Sequence, residues 1–139
     1  MTDIEIAKSN LSGHTICLCK DGNCLYSERR GIAPMMNFIA SGTDMRGYSV
    51  ADLVVGKAAA MLFVLSEIKS VFAKTLSKSG EEILKRYEIP YEYETLTDKI
   101  INRDGTDICP MEKAVSVTED PQEAYDLLSK RIKSMTSKK

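Results

Sequence analysis

A cysteine, a proline and a glutamate stand close together near the C-terminal end of the chain, in the segment DICPMEK. Pro110 suits the first position of a helix, which makes Cys109 the N-cap and Glu112 the third helical residue. This spacing predicts a capping box, in which the Glu112 carboxylate accepts a hydrogen bond from the backbone N–H of Cys109. The structural interpretation is therefore a capped turn with a small N-cap residue.

The same geometry supports a functional interpretation, in which Cys109 is a nucleophile. The partial positive charge at a helix N-terminus stabilises a thiolate, and Lys113 adds a positive charge nearby. Glu112 disfavours the thiolate unless it accepts the thiol proton, so Cys109 and Glu112 are the candidate catalytic pair. Selective alkylation of Cys109 below neutral pH would distinguish such an enzyme from a binding protein.

A candidate ligand site involves the preceding turn and one buried lysine. Asn102, Arg103 and Asp104 begin a turn whose backbone N–H groups and arginine suit an anionic ligand. Lys57 is the only charge in the apolar run from position 53 to 65. A buried lysine costs free energy unless it is paired, extended to the surface or functional. Lys57 is therefore predicted either to extend along the helix to the sheet edge, where it can pair with Asp52, or to have a functional role.

Three further cysteines lie in a predicted hairpin. TICLCK and NCLYSE flank Asp21-Gly22, a strong signal for a two-residue turn. The resulting register pairs Cys19 with Cys24 and places four residues on one face of the hairpin: Cys17, Cys19, Cys24 and Tyr26. Cys-X-Cys lacks the usual zinc spacing and no fourth ligand is near in sequence. We therefore expect the cysteines to pack as small hydrophobes, and a metal site is the alternative.

The remaining elements are predicted from hydrophobic periodicity and capping signals. GIAPMMNFIASG predicts a short helix, and YSVADLVVGKAAAMLFVLSEI predicts a buried helix with Asp52 as N-cap and Gly56 as a site of close backbone approach. KSVFAKTLS and PYEYETLT predict strands, and SKSGEEILKRYEIP and DPQEAYDLLSKRIKSM predict helices. This order predicts one α/β domain over residues 1–139, with a mixed sheet that begins with an antiparallel hairpin.

Composition excludes several classes of partner. The 139 residues are 43% hydrophobic and 28% charged, with a net charge of -1, so no global field favours nucleic acid or an acidic membrane. MTDIEIAKSNL lacks a signal-peptide pattern, and the apolar run AAAMLFVL is too short to span a bilayer. We therefore expect a cytoplasmic protein without nucleic-acid or membrane partners, whose four cysteines are free thiols or ligands.

Four segments together resemble a small, uncharacterised bacterial and archaeal family with a cytidine-deaminase-like fold: ADLVVGKAAAMLFVL, LKRYEIPYEY, IINRDGTDICPMEKAV and DPQEAYDLL. The resemblance extends from about Cys17 to Leu128. It implies a three-layer α/β/α sandwich and, since deaminase-like domains often assemble through their helices, a homo-oligomer. It implies no reaction.

Zinc deaminases carry His- or Cys-Ala-Glu at the start of one buried helix and Pro-Cys-X-X-Cys at the start of the next. The corresponding residues here are 56–59, GKAA, and 77–80, SKSG, and the lone His14 is predicted to be a half-exposed strand residue. We therefore expect no metal and no cofactor. The resemblance places Lys57 where zinc deaminases begin a metal-binding helix, so Lys57 and Asp52 would line a pocket for a phosphate or carboxylate. The preferred function is a binding or regulatory protein for an anionic or nucleotide-like small molecule. The alternatives are an enzyme that uses Cys109 as a nucleophile or as a sulfur or acyl carrier, and a protein–protein adaptor.

Overall fold

The computed structural model describes residues 2–29, 31–100 and 109–136, which form a five-stranded sheet and six helices. The strands are β1 Ile16–Lys20, β2 Asn23–Ser27, β3 Ser49–Val55, β4 Ser70–Ser77 and β5 Tyr91–Thr97. The helices are α1 Asp3–Ser9, α2 Ala33–Ala40, α3 Lys57–Leu65, α4 Lys78–Arg86, α5 Pro110–Val115 and α6 Pro121–Thr136. Within these ranges, no helix combines the length and the apolar character needed to cross a membrane.

The sheet is mixed, with the strand order β2-β1-β3-β4-β5. β1 is antiparallel to both β2 and β3, whereas β3, β4 and β5 run parallel to one another. The predicted hairpin register is confirmed, since Cys19 pairs with Cys24 and Leu18 with Leu25 across the Asp21-Gly22 turn. α3 connects β3 to β4 and α4 connects β4 to β5, as parallel strands require. The predicted mixed α/β class is thus confirmed.

The prediction that a helix starts after Asp52 is wrong, because Ser49–Val55 is strand β3 and α3 begins only at Lys57. β3 lies between β1 and β4, and a strand in that central position carries a nearly continuous apolar sequence. Such a run cannot be told from a buried helix by periodicity alone. Asp52 is therefore a strand residue, and Gly56 is the N-cap of α3.

Helix α1 was not predicted from the sequence, although its start carries a recognisable signal. Thr2 and Glu5 form a capping box, in which each side chain bonds the backbone of the other residue. α1 packs against β1, β3 and β4 through a second hydrophobic cluster, separate from the main core beneath α2, α3 and α6. Cys17 and Cys19 are completely buried in this second cluster, which fits their predicted role as packing residues.

The N-termini of α3 and α4 approach each other through two glycines. A Cβ atom on Gly80 would lie 3.0 Å from both the carbonyl carbon and the carbonyl oxygen of Gly56. These atoms belong to the backbone and cannot rotate away. The backbone approach predicted at Gly56 is thus present, but it depends on the missing Cβ of Gly80, since a Cβ on Gly56 would meet the side chains of Glu112 and Ile100.

Replacing Gly80 with alanine is expected to destabilise the protein. At an unconstrained helix position, this change stabilises by about 1 kcal/mol. Here the contact with Gly56 forces a backbone shift, so we expect a loss of about 1–3 kcal/mol in the free energy of unfolding, measured by urea denaturation. Glu82→Ala, at an exposed position of the same helix, is the control and should change stability by no more than about 0.5 kcal/mol. A Gly80→Ala variant as stable as the parent would contradict the close contact.

Candidate functional site

The carboxylate of Glu112 caps the N-terminus of α3, although the two segments are far apart in sequence. Its Oε1 accepts a hydrogen bond from the backbone N–H of Lys57 and its Oε2 accepts one from that of Ala58, each at 2.8 Å. A Cβ atom on Gly56 would collide with the Glu112 carboxylate. The partial positive charge at the start of α3 therefore already has an anionic partner within the chain.

This contact shows that the predicted capping box of Cys109 and Glu112 is wrong. The backbone N–H of Cys109 donates instead to the carbonyl of Ile100 at 2.9 Å, and the Cys109 side chain makes no capping hydrogen bond. Burial raises the pKa of Glu112, while the backbone N–H groups of Ala58 and Lys57 and the Lys57 charge oppose that rise. Glu112 bridges α5 to α3 because the buried start of α3 offers it two donors at once.

Lys57 is not paired with Asp52, so that part of the prediction is also wrong. Its Nζ lies 3.4 Å from Oε1 of Glu119, and only 12% of its side chain is exposed. Arg86 approaches the other carboxylate oxygen of Glu119 at 3.8 Å. Both the ammonium and the backbone N–H of Lys57 thus contact acidic side chains of the same chain. The lysine is held at the start of α3, with its charge compensated.

Cys109 and Glu112, the candidate catalytic pair, are in different surroundings. Cys109 is half-buried at the N-cap of α5, a helix of six residues. The carboxylate of Glu112 bonds the backbone of α3, so its observed role is to cap that helix. Catalysis by Cys109 stays a prediction. Asn102, Arg103 and Asp104 lie outside the described residues.

Asp52 is a buried carboxyl group in the middle of the sheet. It stands between Ile16 of β1 and Ala73 of β4, and the residue is 6% exposed. Its Oδ1 accepts a hydrogen bond from the backbone N–H of Val54 at 3.4 Å, which is a long contact. Burial raises the pKa of Asp52 to about 8, although the N–H groups of Val54 and Leu53 lower it. Near neutral pH the group is mainly a protonated acid, able to donate one hydrogen bond and to accept others.

This carboxyl group lines a cavity of about 420 Å³, together with Thr15, Gly31, Leu53 and Val54. Small-molecule sites are commonly about 300–1,000 Å³ and combine apolar walls with a few polar groups. Of the described residues that line this cavity or pair with Asp52 in the sheet, Asp52 alone is ionisable. Two cavities of about 500 Å³ also occur, but their ionisable side chains are exposed or half-buried.

The sequence pointed to Asp52 as a ligand residue for a reason that the structure does not support. The residue was predicted to begin a helix beside Lys57, whereas it projects from a strand and lines a separate cavity. Thr15 and Gly31 were missed. Thr15 lies beside β1, where its hydroxyl donates to the carbonyl of Ser27 at 3.0 Å, and nothing in its local sequence distinguishes it from other strand-edge residues.

The expectation that all four cysteines are free thiols or ligands is wrong for two of them. Cys19 and Cys24 form a disulfide across the hairpin, where the turn places their Cα atoms 4.2 Å apart. Cys17 is free, and its Sγ lies 3.5 Å from that of Cys19. Burial raises the pKa of the Cys17 thiol to about 11.

A comparison with solved structures gives a match over most of the chain. The crystal structure of a DUF1893 family protein (TM1506) from Thermotoga maritima aligns with a TM-score of 0.80 and 23% sequence identity, covering 86% of this chain and 82% of that one. At this identity, the likeness shows a shared fold. No protein among the curated sequences matches.

A comparison with protein-family models identifies the same group. The family described as TM1506, domain of unknown function (DUF1893), matches residues 6–132. The match covers both the cavity beside Asp52 and the contact between Glu112 and α3. The chain therefore belongs to the DUF1893 family of domains of unknown function.

Proposed function

We propose that the protein is a binding or regulatory protein that takes up a small, polar, nucleobase-like molecule in the cavity beside Asp52. The observation that carries this proposal is a buried carboxyl group lining a cavity of ligand size, with no cation among the described residues around it. Buried polar side chains are normally satisfied by hydrogen bonds, and the Asp52 contact within the chain is long. A ligand would supply the missing partners.

The chemistry of a protonated carboxyl group defines the class of ligand. Its O–H donates and its C=O accepts, so it is complementary to a group that presents an acceptor next to a donor. The amide-like edges of nucleobases have this pattern. A carboxylate or phosphate beside Asp52 would instead repel the group once it ionised.

The protonated state of Asp52 changes the chemical class of ligand that we expect in its cavity. We place a neutral, base-like ligand beside Asp52, and an anionic ligand contacted by Lys57, Asn102, Arg103 and Asp104 stays a separate proposal, because Lys57 does not line this cavity. The start of α3 is a poor anion site while the Glu112 carboxylate occupies its N–H groups. An anionic group would have to compete with Glu112 or bind beside it.

We also propose that the architecture is the three-layer, cytidine-deaminase-like sandwich that the resemblance implied. The support is that α1 packs against the sheet through one hydrophobic cluster and α2, α3 and α6 belong to the other. In this proposed fold, Lys57 and Lys78, which begin α3 and α4, would stand where zinc deaminases carry their metal-binding motifs. A binding function is therefore favoured over deamination.

Titration with free bases tests the binding proposal. We expect uracil, cytosine, adenine or guanine to shift amide resonances of Thr15, Leu53 and Val54 in NMR spectra at pH 6. The affinity of the parent protein should fall as the pH rises through about 8, because Asp52 then loses its donor proton.

Two substitutions at Asp52 separate hydrogen bonding from the shape of the cavity. Asp52→Asn keeps one donor and one acceptor, so binding should persist and lose its dependence on pH. Asp52→Leu removes both and should weaken binding by about tenfold or more. The proposal fails if no base binds, or if the leucine variant binds as well as the parent.

A further inference from the structure

Three cysteine sulfurs are gathered beneath helix α1, on the face of the sheet opposite to the Asp52 side chain. The Sγ atoms of Cys17, Cys19 and Cys24 all lie within 4.8 Å of one another. Cys17 and Cys19 are alternate residues of β1 whose side chains share the face covered by α1, and Cys24 faces Cys19 from β2. Two strands therefore fix all three side chains on one face of the hairpin, so the cluster does not depend on a mobile loop.

We propose that the reduced protein binds a single copper(I) ion through Cys17, Cys19 and Cys24. Thiolates are soft ligands that select copper(I) over harder cations such as magnesium or calcium. The sulfurs lie among apolar side chains, with Ala7, Leu11 and Phe72 in the same cluster. Such surroundings exclude water, which would otherwise compete for the ion or promote its oxidation.

The number of ligands favours copper(I) over zinc. Structural zinc sites are tetrahedral with four protein ligands, and zinc sites with three protein ligands complete the tetrahedron with a water molecule, which the apolar surroundings of this cluster exclude. Across the described ranges, the cluster contains three metal-binding side chains, and no His, Asp or Glu joins them. Copper(I) is stable with three thiolates in a plane, so the fourth ligand that the sequence failed to supply is not needed.

The distances between the three sulfur atoms suit a planar copper(I) site after a small rotation of the cysteine side chains. With metal–sulfur bonds of about 2.3 Å, three sulfurs around one ion in a plane lie about 4 Å apart. The Sγ atoms of Cys17 and Cys19 are 3.5 Å apart, and none of the three pairs exceeds 4.8 Å. Reduction of the Cys19–Cys24 bond frees both sulfurs to reach this spacing by rotation about their side-chain bonds.

The disulfide makes the site dependent on the redox state. While Cys19 and Cys24 are bonded to each other, Cys17 is the one thiolate that the cluster can provide. A dithiol or phosphine that supplies two electrons restores three thiols, and copper(I) then displaces their protons. Cys24 is half-buried on β2, the edge strand of the sheet, and so provides the route of entry.

Competition with a chromogenic chelator tests the site. The full chain is reduced with a phosphine under anaerobic conditions and titrated into the copper(I)–bicinchoninate complex. We expect the parent protein to withdraw one copper ion per chain, whereas protein with its disulfide intact withdraws none. Cys109→Ser is the matched control, because it removes the cysteine outside the cluster and should bind copper(I) like the parent.

Serine at each of the three positions should lower the copper(I) affinity by more than about tenfold. Substitution of a residue that only hydrogen-bonds to a metal ligand already lowers metal affinity by about 10–100-fold. Cys17 and Cys19 are fully buried, so their variants are first checked for folding by circular dichroism. Cys24→Ser, at a half-buried position, decides the question if the other two unfold. The proposal is overturned if the reduced parent withdraws no copper, if Cys24→Ser binds like the parent, or if Cys109→Ser loses the ion.

Discussion

Replacing Glu112 with alanine is expected to lower the free energy of unfolding by about 2–4 kcal/mol, as measured by urea denaturation at pH 7. The carboxylate accepts hydrogen bonds from two backbone N–H groups at 2.8 Å each, and both donors lie at the buried start of α3. Alanine leaves these donors without a partner and removes the link between α5 and α3. The cost of burying the carboxylate is recovered in part, which keeps the net loss below the sum of two charged hydrogen bonds.

Two further variants separate the backbone contacts from the charge near Lys57. Glu119→Ala removes the carboxylate that lies 3.4 Å from the Lys57 ammonium, but that carboxylate is 54% exposed. We expect a loss of at most about 1 kcal/mol from it. Glu112→Gln keeps one acceptor and turns an NH₂ toward the second N–H, so its stability should be intermediate. If Glu112→Ala is no more harmful than Glu119→Ala, capping of α3 is not the role of this residue.

Contacts between residues close in sequence could be predicted here, whereas contacts between distant segments could not. The hairpin register was predictable because a two-residue Asp-Gly turn fixes every cross-strand pair, including Cys19 with Cys24. Glu112 was assigned to the wrong helix because its local spacing satisfies a capping box. Its real partners, Lys57 and Ala58, lie on another helix, and sequence spacing carries no information about such a contact.

Asp52 shows a second reason why the sequence alone did not predict the local structure. A polar residue ahead of an apolar run is typical of an N-cap, and the same pattern arises when a buried strand carries one functional acid. Burial decides between these alternatives, and burial is a property of the assembled sheet. The candidate site thus contains the predicted residue, in a different element and with a different chemical role.

The buried position of Asp52 predicts that Asp52→Asn will stabilise the protein above neutral pH. Below about pH 4, the carboxyl group is protonated in both the folded and the unfolded chain, so the substitution should change stability little. As the pH rises, the unfolded chain loses this proton near the ordinary aspartate pKa of 3.8, while the folded chain keeps it up to about 8. The unfolded state then binds fewer protons, so this group lowers stability as the pH increases across that interval.

Each pH unit in the interval costs about 1.4 kcal/mol, which amounts to roughly 5 kcal/mol at pH 8, where the folded group is half ionised. Asparagine cannot ionise, so urea unfolding at pH 4, 6 and 8 should show a stabilisation that grows with pH. Asp126→Asn, at an exposed position of α6, is the control and should follow the parent at every pH. A stabilisation of Asp52→Asn that is the same at pH 4 and pH 8 would mean that the carboxyl group does not stay protonated in the folded protein. The proposed hydrogen-bond donor of the cavity would then be absent near neutral pH, and the match to a nucleobase edge would lose its basis.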